Sequence, residues 1–131
     1  MPDPQEAGIL PDDLPRRALL SEPLRVDRID VDPVEPLGDG AVRVTFRLTV
    51  RDADGKRCAD LAVDARIDGP ERSASGMSHT DLMGQVRFRM AGPAGRYAIE
   101  VLDVAAGALT IDRAASQLTA ETTASSHPGD A

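Results

Sequence analysis

The sequence predicts an all-β domain, a small sandwich of about seven short antiparallel strands. Three observations carry that expectation. Apolar and polar residues alternate with period two along several stretches, most clearly from Val42 to Arg51. Turn signals built from Gly, Pro and Asp recur every eight to twelve residues or so. No stretch carries an amphipathic helical pattern long enough to cross over between parallel strands.

Residues 1–24 read as a proline-rich acidic arm. Pro2, Pro4, Pro11, Pro15 and Pro23 oppose a long helix. Asp12 or Asp13 can cap a short turn with Pro15 near its start, leaving Leu10, Leu14, Leu19 and Leu20 as a docking set. Two readings stay open there, a mobile arm and a docking segment.

Strand signals begin at Arg25. Ile29 and Val31 alternate with Arg28, Asp30 and Asp32 until Pro33 and Pro36 stop the run, which suits an edge or terminal strand because proline donates no ladder hydrogen bond. After the turn Leu37-Gly38-Asp39-Gly40, Val42, Val44, Phe46, Leu48 and Val50 share one face, and Arg43, Thr45, Arg47, Thr49 and Arg51 the other. The turn Asp52-Ala53-Asp54-Gly55 follows, with Gly55 supplying the positive φ such turns demand. Leu61, Val63, Ala65 and Ile67 then oppose Asp64, Arg66 and Asp68, and Gly69-Pro70 closes the run.

Small polar residues from Arg72 to His79 fit a short exposed edge strand. Beyond Thr80-Asp81 and the turn residue Gly84, Val86, Phe88 and Met90 alternate with Gln85, Arg87 and Arg89. Gly92-Pro93-Ala94-Gly95 leads into Tyr97, Ile99 and Val101, and a last strand centres on Leu109 and Ile111. The sandwich is therefore expected over residues 25–118, with a flexible Ser/Thr/Ala-rich tail over 119–131.

A chain of 131 residues is one domain, large enough to bury a core without metal or disulfide staples. Its single cysteine, Cys58, excludes an intramolecular disulfide and reads as a small hydrophobe. The net charge of −7 is uneven: residues 1–24 hold five acids and two arginines, whereas residues 25–113 hold fifteen acids and thirteen bases. An acidic chain with one Tyr, two Phe and no Trp lacks the basic field and stacking rings that nucleic acid requires. No apolar run reaches the length of a membrane span. Arg16-Arg17 is followed by an apolar run broken at Ser21-Glu22-Pro23, so no export signal is visible. The default expectation is a cytoplasmic protein, or an extracellular one if the sequence is an excised domain.

Several of these runs resemble known families. TVRDADGKRCADLAVDARIDGP is similar to the strand, turn and strand of bacterial immunoglobulin-like and carboxypeptidase-regulatory-like sandwiches. TDLMGQVRFRM resembles the T-D-x-x-G-x-V/A-x-F signature of those families, and GPAGRYAIEV their G-x-Y entry into the penultimate strand. LTIDRAASQLTAET is similar to the last strand of immunoglobulin-like domains appended to secreted bacterial hydrolases. The resemblance covers residues 41–122 or so, and it implies an immunoglobulin-like Greek-key β-sandwich with a spacer, adhesion or accessory role. It places Tyr97 as a tyrosine-corner residue whose hydroxyl bonds the backbone upstream. The disulfide and core Trp of antibody domains have no counterpart, since Ile99 stands where a cysteine would be.

Candidate chemistry is sparse. Asp52-x-Asp54-Gly55 is a fragment of a calcium loop without the third acid and bidentate Glu that complete one, so a plain turn is expected. His79, Asp81 and Cys58 match no zinc spacing, and His127 lies in the tail. No catalytic residue, metal or cofactor is therefore expected. A common immunoglobulin topology sets residues 42–50 beside 85–90, which would put Arg43, Arg47, Arg51, Arg87 and Arg89 on one outer face. That face is either a surface for an acidic partner or a charge ladder compensated by Asp30 and Asp32.

The functional expectation is a non-enzymatic structural or protein–protein interaction module, with homo-oligomerisation through edge strands possible. One alternative is a decoration or assembly component of a larger particle, anchored by the arm. Another is an accessory surface- or carbohydrate-binding domain of a secreted enzyme, a role that requires exposed aromatic platforms.

Overall fold

The computed structural model describes residues 20–105 and 110–125. Within them lie eight strands: β1 (Arg25–Val31), β2 (Glu35–Gly38), β3 (Ala41–Arg51), β4 (Ala62–Asp68), β5 (Ser73–His79), β6 (Gln85–Pro93), β7 (Gly95–Ala105) and β8 (Thr119–Ala124). They form two antiparallel sheets in a sandwich-like, all-β arrangement.

β3 is the axis of the first sheet. β6 runs along one of its edges from Ala41 to Thr49, while β1 and β2 share the other, β1 pairing with Phe46–Arg51 and β2 with Ala41–Arg43. The second sheet has the order β5-β4-β7-β8. Period-two alternation explains why β3 can hold this place: Val42, Val44, Phe46, Leu48 and Val50 are fully buried, and Arg43, Thr45 and Arg47 point away from the core. Val63, Ile67, Tyr97, Ile99 and Val101 of the second sheet enter the same core. Burying a side chain the size of Leu48 or Phe46 is worth about 1.5–3 kcal/mol, so the β3 stripe alone outweighs any surface ion pair.

Tyr97 is the largest fully buried side chain, and its hydroxyl donates to the Pro93 carbonyl at 2.6 Å. That bond satisfies a hydroxyl that burial would otherwise leave unpartnered.

Four features differ from those expected. Leu24 belongs to the core at 0% exposure and Leu20 packs against it, so the folded unit extends into the segment read as an arm. Residues 119–124 form β8, paired with Gly95–Glu100 of β7, where a flexible tail was expected. The backbone ladder holds them despite a composition with little apolar alternation. The short exposed β2 raises the strand count above seven. Ile111 makes an isolated parallel bridge to Leu24 in place of a strand centre, and Leu109 lies outside the described residues, as do Leu10, Leu14, Leu19 and His127.

Candidate functional site

The arginine face is built on the β1–β3–β6 register. Asp30 stands opposite Arg47 across the β1–β3 ladder, and Arg47 stands opposite Arg87 across the β3–β6 ladder. Arg47 meets Asp32 at 3.0 Å and Asp30 at 3.6 Å, and Arg87 shares Asp32 at 3.7 Å. Arg51 meets Asp27 at 3.3 Å and donates to the Gly55 carbonyl at 2.9 Å, and Arg43 meets Glu35 at 2.9 Å. Arg28, two residues back along β1, meets the same Asp30 oxygen at 2.9 Å. Four of the five arginines thus face a carboxylate of β1, β2 or the connection between them. Arg89 is exposed opposite Thr45, with no ion pair among the described residues. These half-exposed pairs contribute no more than about 1 kcal/mol each, and their larger effect is to cancel the field an acidic partner would meet.

A second candidate lies where β3 leaves its sheet. Asp52 is fully buried, and its carboxylate accepts three backbone N–H bonds: Oδ1 from Asp54 at 2.9 Å and Lys56 at 2.8 Å, Oδ2 from Ser21 at 3.0 Å. Ser21 adds a hydroxyl bond to Asp54 Oδ2 at 2.5 Å and accepts the Ala53 N–H at 2.9 Å. Burial pushes the Asp52 carboxyl up, but the three N–H donors, with help from the Lys56 charge, outweigh it and hold the group below its ordinary value of 3.8. A carboxylate so occupied is a clasp between the β3 exit and the residues before β1.

The turn between β5 and β6 repeats this frame. Asp81 Oδ1 accepts from Met83 at 2.8 Å and Gln85 at 3.0 Å, as Asp52 Oδ1 does from residues two and four further on. The Asp81 N–H donates to the Gln85 carbonyl at 2.8 Å, and Gly84 closes the turn on the Asp81 carbonyl at 2.9 Å. Gly55 and Gly84 take φ of +85° and +73°. Leu82 and Met83, at 75% and 49% exposure, form the tip. The spacing D-x-x-G-x common to residues 52–56 and 81–85 is the sequence signal for this equivalence.

Cys58 is buried, and burial, reinforced by the Asp52 charge, pushes its thiol up to about 11, so it is protonated at neutral pH. His79 is exposed at the end of β5, and no group of three or more His, Cys, Asp or Glu suited to a metal occurs among the described residues. All three aromatic side chains go to the core: Phe46 and Tyr97 are fully buried and Phe88 is half-buried against them. Among the described residues no helix is long and apolar enough to cross a membrane. Comparison with known proteins returns no matching family model, no matching curated protein and no matching solved structure.

Proposed function

We propose that this chain is a non-enzymatic immunoglobulin-like module that serves as a structural unit or protein-contact domain. The observation that carries this reading is where the reactive and charged side chains are used. Asp52 ties turn to chain, Arg43, Arg47, Arg51 and Arg87 brace neighbouring strands, and Cys58 is a protonated core residue. In support of a Greek-key reading, β1 and β6 flank β3 in the first sheet, beside β2, and the second sheet runs β5-β4-β7-β8, which is compatible with the A-B-E and C′-C-F-G sets of such domains. The Tyr97 bond to Pro93 supports a tyrosine corner. With every aromatic ring packed inward, a carbohydrate platform has less support than protein contact.

The purified full chain is expected to give no turnover on a panel of ester, phosphate and glycoside substrates. Turnover that disappears in a folded His79→Ala variant would overturn the reading.

A further inference from the structure

The two lateral sides of the molecule differ. On one, the connection from β7 to β8 lies along β1: the Gln117 N–H donates to the Val26 carbonyl at 2.9 Å, Gln117 Oε1 accepts the Ile29 N–H at 3.0 Å, and Ser116 Oγ accepts the Val26 N–H at 3.0 Å. On the other, β5 and β6 each end a sheet, and a cleft of about 130 Å³ lined by Ala74, Gly76, Phe88 and Met90 lies between them.

Exposed strand edges are normally protected by charge, proline or a bulge. β6 carries Arg87, Arg89 and Pro93, β1 has a bulge and is covered, and β8 carries Glu121. β5, with the sequence SASGMSH, has no acid, lysine, arginine or proline, and it pairs with β4 from Ser73 to His79 without a register shift. Among the described strands it is the edge without such protection.

Its outward backbone groups can be assigned. Gly69 donates to the Arg72 carbonyl at 2.8 Å and Thr80 donates to the Leu61 carbonyl at 2.9 Å, so residues 72, 74, 76, 78 and 80 direct their backbone groups at β4. Ser73, Ser75, Met77 and His79 direct theirs outward, and they are arranged symmetrically about Gly76.

We propose that β5 pairs antiparallel with β5 of a second copy across a two-fold axis at Gly76. Ser75 then faces Met77 of the other copy and Ser73 faces His79. Every outward N–H and C=O on the strand finds a partner, and no like charges meet. The same operation on β6 would press Arg87 and Arg89 against each other. Pairing joins the two four-stranded sheets into one continuous sheet, and Met77, at 65% exposure, gains a neighbour across the seam. This inference rests on the contact-module reading and names the partner.

Analytical ultracentrifugation of the full chain over a concentration series tests it. The wild type is expected to show a monomer–dimer equilibrium. The Ser75→Glu/Met77→Glu variant sets glutamates against each other on both sides of the axis and raises the dissociation constant about tenfold or more. Ser75→Glu/Met77→Lys sets opposite charges face to face in the same register and restores dimerisation. Both positions are exposed, and circular dichroism verifies the fold. A wild type that stays monomeric at every concentration overturns the proposal, as does a double-glutamate variant that dimerises like wild type or a Glu/Lys pair that fails to restore. Those results leave the contact-module reading standing, whereas turnover by the wild-type chain removes that reading and leaves the wild-type dimer measurement as it was.

Discussion

The turn at Asp52–Lys56 and the turn at Asp81–Gln85 share a backbone frame and differ in their surroundings. In each, an aspartate accepts two N–H bonds from its own turn and a glycine at positive φ closes it. Around Asp52 the chain before β1 adds a third donor from Ser21, and the carboxylate loses all contact with solvent. Around Asp81 no such strap arrives among the described residues, and the tip presents Leu82 and Met83 to solvent. The glycines invert the pattern. A Cβ on Gly55 would meet nothing within 4 Å, whereas one on Gly84 would lie 2.9 Å from the Val50 carbonyl oxygen and 3.0 Å from the Cys58 nitrogen. Local sequence sets the turn, and tertiary contact decides which of its residues carries energetic weight.

The sharpest way to break the pairing of these turns is to remove each aspartate. Asp52→Ala removes the acceptor of three part-buried N–H bonds and is expected to cost about 3 kcal/mol, while Asp81→Ala, whose two bonds are exposed, costs about 1 kcal/mol; urea denaturation of the two variants measures the gap. Equal costs would mean that the Ser21 strap contributes nothing.

Alanine at the glycines reverses the ranking of the turns. Gly84→Ala combines a strained positive φ with a clash against backbone and is expected to cost about 2 to 3 kcal/mol, against about 1 kcal/mol for Gly55→Ala, read from thermal or urea midpoints.

The smallest effect is acid sensitivity, because a protonated Asp52 still accepts hydrogen bonds through its carbonyl oxygen. Its folded pKa is depressed, so its ionised form adds stability above the unfolded value, and that contribution is lost as pH falls through the folded value. The stability gap between wild type and Asp52→Asn should therefore narrow as pH drops below roughly 4. A gap independent of pH would show that charge plays no part in the clasp.

β3 and β6 are legible in the sequence because each alternates cleanly and buries one face. β2 is not, because Glu35-Pro36-Leu37-Gly38 is exposed throughout and contains a proline. β8 escapes for a related reason: Ala124 is its only fully buried side chain, and the pairing with β7 that holds it leaves no mark on composition. Leu24 sits one residue after Pro23, which disguises a core residue as part of a proline-rich segment. On the arginine face, the alternating signs of Asp30, Asp32, Arg43 and Arg47 foreshadow a ladder, although only the register tells that Arg89 faces Thr45. The Asp52 clasp depends on Ser21, 31 positions away, and short-range spacing carries no trace of it.

The strap of residues 110–118 along β1 has a consequence for how the protein is made. Val26 and Ile29 bond to Ser116 and Gln117, 88 to 90 positions later in the chain. As the chain is synthesised β1 can pair with β3, but its outer edge stays uncovered until residues 110–118 have emerged. Until then the early strands wait with that edge exposed, so the domain closes only through contacts distant in sequence.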